Sequence, residues 1–373
     1  MSEKLKVMTV FGTRPEAIKM APLVLELQKQ SEVFDTCVVV TAQHREMLDQ
    51  ILQTFEISPQ YDLNIMGKNQ TLADITNNVL MKLDPIIKEE KPDIILVHGD
   101  TSTTFVASLA AYYNQVQVGH VEAGLRTHNK YSPFPEELNR QLTGIIADLH
   151  FAPTEQAKEN LLKENKKENS IFVTGNTVID ALKTTVETER VITKQDKRTV
   201  LVTVHRRENL GNNMKHIFKA IRRLVDTHAD IEVVYPVHLN PKVQELSREI
   251  LGNHERIKLI DPLDVIDFHN LMAESYLVMT DSGGLQEEAP SFGVPVIVLR
   301  DTTERPEGVT AGTLKLAGTN EENIFEIANK LLTNQEAYQA MSEVKNPYGD
   351  GKASERIVTI IKQELNKSKS KLI

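Results

Sequence analysis

The chemistry-bearing residues of this chain stand directly behind short apolar, β-branched runs. In "VGHVEAGLRT" Glu122 follows such a run where nothing in packing asks for a glutamate; a salt bridge to Arg126, four residues on, is the plain structural alternative. Asp100 follows "DIILVHG" and precedes Thr101, Ser102 and Thr103, any of which suits a helix N-cap, as does Asp100 itself. In "YSPFPEELNR" Pro133 and Pro135 stiffen the start of a helix, and Glu136 and Glu137 fall in its first turn, where carboxylates complement the dipole. Glu136 is also spaced to pair with Arg140. If Asp100, Glu122 and Glu136 converge, proton transfer is the chemistry to expect, because burial and mutual repulsion raise a carboxyl pKa toward neutrality.

A second group of residues suits anions. In "VFGTRPEAIKMAPL" Gly12 lets the chain turn off a strand, Pro15 fits a first helical turn, and Arg14 and Lys19 bring positive charge to a helix N-terminus. His205, Arg206 and Arg207 in "TVHRRENLG" offer another phosphate site. In "TDSGGLQEEAPSFG" Ser282, Gly283 and Gly284 can present backbone N–H groups and a hydroxyl to a diphosphate, with Glu288 one turn on for a ribose diol. GTRPE is not the GxGxxG dinucleotide fingerprint, and no P-loop, GxSxG elbow, HExxH or CxxC spacing is present, so neither nicotinamide nor metal is expected. The residues alone suggest an enzyme acting on a diphosphate-bearing ligand with carboxylate acid/base groups.

The elements that must position these groups alternate. Nearly continuous runs such as "LKVMTVFG", "DTCVVVTA", "PDIILVHGD", "VQVGHVEAG" and "LHFAPT" read as strands buried on both faces, separated by helical stretches. A second series, "TVLVTVH", "IEVVYPVH", "IKLID", "SYLVMTDSGG" and "PVIVLRD", follows. This pattern predicts two Rossmann-like, doubly wound parallel-sheet domains, with ligands in a cleft at the carboxyl ends of the strands. The expected first domain spans 1–172 and is completed by a C-terminal helix, 353–373; the second spans 173–352. "TTVETERVITKQDKR" reads as a surface helix and loop of the second half, and "NKSKSK" as a frayed tail. A length of 373 residues suits two domains. The net charge of −9 and pI near 5.7 argue against nucleic acid or anionic membrane as main partner. Cys37, the lone cysteine, cannot form an internal disulfide, and no apolar stretch approaches about 18 residues, so a cytoplasmic protein is expected.

Taken together, "VFGTRPEAIKMAPL", "VHGDT", "VGHVEAGLRT", "SPFPEE", "TGNTVIDAL", "VHRREN", "YPVHLNP", "TDSGGLQEEAPSFGVPV" and "RDTTERPEGVTAGT" resemble the bacterial non-hydrolysing UDP-N-acetylglucosamine 2-epimerases, from about residue 5 to about residue 361. The resemblance implies a GT-B architecture and a homodimer that interconverts UDP-GlcNAc and UDP-ManNAc without metal or nicotinamide, supplying ManNAc for cell-surface polysaccharide or teichoic acid linkage synthesis. It implies catalytic roles for Asp100, Glu122 and Glu136. It assigns diphosphate contacts to Arg14, Lys19, His205, Ser282, Gly283 and Gly284, with His205 counted in the catalytic set as well. Glu288 would meet the ribose and Phe268 the uracil. It also implies an activating UDP-GlcNAc position at Gln43, His44, Arg206, Glu208 and His238, although Glu46 and Asn69 depart from the Gln and Arg expected there. A GT-B glycosyltransferase, a hydrolysing epimerase and a UDP-sugar sensor are the competing readings.

Overall fold

A computed structural model describes residues 4–42, 45–67, 70–186 and 197–370. The chain forms two compact units, Met1–Ala181 with Tyr348–Ile373, and Leu182–Pro347.

The first unit runs β1 (Leu5–Phe11), α1 (Arg14–Lys29), β2 (Phe34–Val40), α2 (Arg45–Thr54), β3 (Tyr61–Asp62), α3 (Leu72–Glu90), β4 (Ile94–His98), α4 (Ser102–Tyr113), β5 (Gln117–Val121), α5 (Glu136–Ile146), β6 (Leu149–Ala152), α6 (Glu155–Lys163), β7 (Ile171–Val173) and α7 (Thr177–Thr185). Its seven parallel strands are ordered β3-β2-β1-β4-β5-β6-β7. Met8, Val10, Val39, Ile95 and Val97 of the sheet pack against Val79 and Leu83 of α3 and Val106 and Ala110 of α4. The alternate residues Val7, Phe11, Val38, Val40, Ile94 and Leu96, which face the other side of the sheet, are buried as well, and this two-sided burial is why the strands read as continuous apolar runs.

The second unit runs β8 (Arg198–Thr203), α8 (Asn212–Thr227), β9 (Ile231–Pro236), α9 (Pro241–Leu251), β10 (Ile257–Ile260), α10 (Val265–Ala273), β11 (Leu277–Thr280), α11 (Gly283–Glu288), β12 (Val296–Val298), α12 (Pro306–Ala311), β13 (Leu314–Leu316), α13 (Glu321–Thr333) and α14 (Gln335–Ser342). Its parallel sheet is ordered β10-β9-β8-β11-β12-β13, and Val200, Val202, Val233 and Met279 pack beneath Phe218 and Leu224 of α8 and Ile324 of α13. The doubly wound class expected from the alternation is the one that forms.

The boundaries differ from the sequence reading. The first unit keeps the start of α7, because Asn176 N–H donates to the Tyr348 carbonyl (2.7 Å) and the Asp180 carboxylate accepts from Ala353 N–H and Ser354 N–H (3.1 and 2.7 Å). Those bonds satisfy free N–H groups at the start of α15 (Ala353–Ser370), which packs on α1. The "NKSKSK" stretch is helical through Ser370 rather than frayed, with Lys367 donating to Glu364 one turn back. β3, β7 and β13, two or three residues each, were not separate strands in the sequence reading. Most of "TTVETERVITKQDKR", residues 187–196, lies outside the described residues.

Candidate active site

In both sheets the strand order reverses between the first strand and the fourth, so the connections after β1 and β4, and after β8 and β11, leave toward opposite faces. This opens a crevice at their carboxyl ends. A buried carboxylate ties the two loops together in each unit. In the first unit Glu16 accepts from Gly12 N–H and Thr13 N–H (3.0 and 2.8 Å) and from the Thr101 hydroxyl (2.7 Å), fastening the loop after β1 to the loop after β4. Burial pushes its pKa up, and the hydrogen bonds from Thr101, Gly12 and Thr13 oppose this. Thr13 completes a capping box with Glu16, and Pro15 sits in the first turn of α1. Gly12 is required for close approach: a Cβ there would lie 1.8 Å from Thr41 Oγ1.

Glu122 follows β5 in the left-handed backbone region, at φ 61. Its Oε2 accepts from Lys19 Nζ and from Asn176 Nδ2 (2.8 Å). The salt-bridge alternative is not realised, since Arg126 forms a two-pronged pair with Glu164 (2.7 and 2.9 Å). Lys19, expected at a diphosphate, is thus ion-paired to a carboxylate as well. Asp100 lies two residues past the neighbouring strand β4 and is gripped from α5: Arg140 Nε and Nη2 reach Oδ2 (2.9 and 2.6 Å), and Asn139 Nδ2 donates to its carbonyl (2.9 Å). Thr101, not Asp100, caps α4. Arg140 also donates to the fully buried Glu137, whose oxygens accept from Thr127 N–H and His128 N–H (3.1 and 3.0 Å). Glu136 opens α5 one turn before Arg140. Arg140 spends its charge on Asp100 and Glu137, which removes the Glu136–Arg140 alternative. Instead of carboxylates repelling one another, each of Asp100 and Glu122 has its own cation. Arg14 is the half-buried first residue of α1.

In the second unit Asp281 does for β11 and β8 what Glu16 does for β4 and β1. It accepts from His205 N–H (3.0 Å), Arg206 N–H (2.9 Å) and Asn209 Nδ2 (2.9 Å), fixing the "HRREN" loop. The His205 ring stacks on His238 at 5.2 Å. Burial pulls the His205 pKa down; Asp281 opposes, and His238 and Arg206 reinforce the shift. Arg206 lies 3.7 Å from Glu304, and Glu208 accepts from Arg300 (2.7 Å). Gln43 and His44 lie outside the described residues, as does Asn69; the Glu46 backbone lies in α2. At α11, Ser282 is the N-cap residue but gives its N–H to Thr280 Oγ1 (2.9 Å), leaving its hydroxyl and the first-turn N–H groups of Gly283 and Gly284. Gly283 is small because a Cβ there would meet the Arg305 guanidinium at 2.6 Å, and Arg305 is itself held by Glu287 (2.7 Å). Glu288 lies 3.5 Å from His269 Nε2, and Phe268 stands edge-on to that histidine. Phe268 and Glu288 thus flank one ring.

Sequence reading named Glu122, Asp100 and Lys19 but missed Asn176, which holds Glu122, and gave Arg140 to Glu136 rather than to Asp100; it also missed Glu16 and Asp281, which fasten the loops after the strands. "TGNTVIDAL" carried Asn176, yet its partner is 54 residues away and no local spacing reveals it. Among the described residues no cluster of three or more His, Cys, Asp or Glu could hold a metal ion, and no helix is long and apolar enough to cross a membrane.

Residues 26–362 match the UDP-N-acetylglucosamine 2-epimerase family. The UDP-N-acetylglucosamine 2-epimerase of Bacillus subtilis strain 168 is 66% identical over 360 residues, 95% of this chain and 94% of that protein. Staphylococcus aureus MnaA, solved with UDP, superposes with a TM-score of 0.90 at 58% identity, over 97% of each chain. The Neisseria meningitidis UDP-GlcNAc 2-epimerase bound to UDP-GlcNAc gives 0.88 at 50% identity, over 96% of this chain and 99% of that one. With most of its length matched at these identities and the same pair of parallel-sheet units, the chain belongs to the UDP-N-acetylglucosamine 2-epimerase family.

Proposed function

We propose that this epimerase interconverts UDP-GlcNAc and UDP-ManNAc by eliminating UDP and adding it back. The observation that carries the reading is the pair of carboxylates at the ends of neighbouring strands, Asp100 and Glu122, each held by its own cation. The hydrogen on C2 of the sugar is not acidic by itself, since no carbonyl stands beside it. As the C1–O bond breaks, its electron pair leaves with UDP; a carboxylate takes the C2 proton, and the C–H pair becomes the C1–C2 double bond of 2-acetamidoglucal. Protonation of C2 on the opposite face and return of UDP to C1 give the epimer. Each face needs its own acid/base group, which asks for more than one carboxylate among Asp100, Glu122 and Glu136. Each well-placed group is typically worth about 10²–10⁴-fold. Arg14, Lys19, His205 and the start of α11 at Ser282, Gly283 and Gly284 are proposed to hold the diphosphate and stabilise the departing UDP, with Glu288 at the ribose and Phe268 near the uracil.

Relatives solved with UDP and with UDP-GlcNAc support the substrate. The test is NMR of the chain with UDP-GlcNAc alone in D₂O. Deuterium should enter C2 of both UDP-sugars, with small amounts of UDP and 2-acetamidoglucal after long incubation. Free ManNAc as main product would make the enzyme hydrolytic; epimerisation retaining the original C2 hydrogen would exclude an exchanging carboxylate.

A further inference from the structure

His98 ends β4 at 3% exposure, and neither ring nitrogen has a hydrogen-bond partner among the described residues. His120, on the neighbouring strand β5, differs: its Nε2 reaches the Gly99 carbonyl (2.8 Å) and only Nδ1 is unmatched. Burying an imidazole with both nitrogens unmatched is costly, and any apolar side chain would fill the space at less expense in desolvation. The ring is not randomly aimed. Its Nε2 lies 3.7 Å from Glu122 Oε2, the same oxygen that already accepts from Lys19 and Asn176. A carboxylate oxygen has two lone pairs, so Lys19 and Asn176 fill it and the imidazole stands third in line.

We propose that His98 is a positioning residue for Glu122, its Nε2–H taking over Oε2 when Lys19 turns to the substrate diphosphate. Glu122 then keeps two donors and a fixed orientation while it exchanges a proton with C2. The charged and titratable groups that bear on the ring are Glu122, Lys19 and Asp100; burial outweighs them and brings its pKa down to about 4, so it is neutral near pH 7 and donates without adding charge. The inference rests on reading Glu122 as an acid/base group.

His98→Phe fills the volume without a donor. It should lower kcat by about 10–10²-fold with KM unchanged. Loss of a donor to the carboxylate raises its pKa, so the acid limb of the kcat–pH profile should move to higher pH. His98→Asn, which keeps an N–H, should recover part of the loss. In a Glu122→Gln background His98→Phe should add no further loss, because the histidine acts through that carboxylate. A His98→Phe enzyme with native kcat and acid limb overturns the proposal, as does a loss that multiplies onto Glu122→Gln. Native turnover in Glu122→Gln alone would instead defeat the reading of Glu122, and this inference with it. If His98→Phe does not fold, ¹⁵N-histidine NMR of the native chain decides: UDP-GlcNAc should shift the His98 Nε2–H resonance, and an unmoved signal refutes the exchange of donors.

Discussion

Glu122 occupies a left-handed backbone conformation, which typically costs a non-glycine residue about 1–3 kcal/mol and persists only where the surroundings over-determine it. Lys19, Asn176 and the hydrogen bond from Gly99 N–H to the Val121 carbonyl supply that constraint. Asp100 shows the same economy, with its side chain and its carbonyl both held from α5. Asp100→Asn should therefore leave the fold intact and lower turnover by at least about 10²-fold, while calorimetric titration shows UDP still binding. Native turnover in that variant would remove Asp100 from the catalytic set. The identities of these carboxylates were legible because a charged residue after an apolar run has no packing reason. Their partners were not, since Arg140 and Asn176 reach them across the fold.

Among elements, the long strands were legible from their doubly buried composition, whereas β3, β7 and β13 are too short to show a period. The turn after β1 shows how a local reading can be right about a residue and incomplete about its cause. Gly12 was expected to turn the chain, but Thr41, beyond β2, is what excludes a side chain. Gly12→Ala should thus destabilise the protein by about 1–3 kcal/mol through overpacking, read as a lower melting temperature. It should also weaken UDP binding, because the same loop leads into Arg14 and Glu16. An alanine variant with native stability would show that Thr41 yields freely.

For the molecule as a whole, pH links burial to stability. His98, His120 and His150, all in the first unit, have pKa values brought down by burial to about 4, 3 and 4. Between those values and about 6.5 the unfolded chain binds protons that the folded chain refuses, so stability is complete above about pH 6.5 and falls as pH drops toward 4. Each histidine adds a slope of up to about 1.4 kcal/mol per pH unit in that window. Thermal unfolding between pH 7.5 and 4.5 should show a steep decline, and a flat profile would mean that the rings charge in place. If Arg206, Glu208 and His238 belong to a second UDP-GlcNAc position, the reaction from UDP-ManNAc should be sigmoidal and be relieved by traces of UDP-GlcNAc. Hyperbolic kinetics without stimulation would oppose that role and implicate Glu46 and Asn69. The closure of the first unit by α15 also sets an order of events on the ribosome. Ile357, Val358, Ile361 and Leu365 are buried, a gross contribution of roughly 6–12 kcal/mol, and they emerge only after the whole second unit has been made. At about 5–20 residues per second that delay is roughly 8–33 s, during which the nascent first unit lacks the stabilisation of α15 and carries an uncovered apolar face on α1, an aggregation hazard that chaperones must cover until α15 docks.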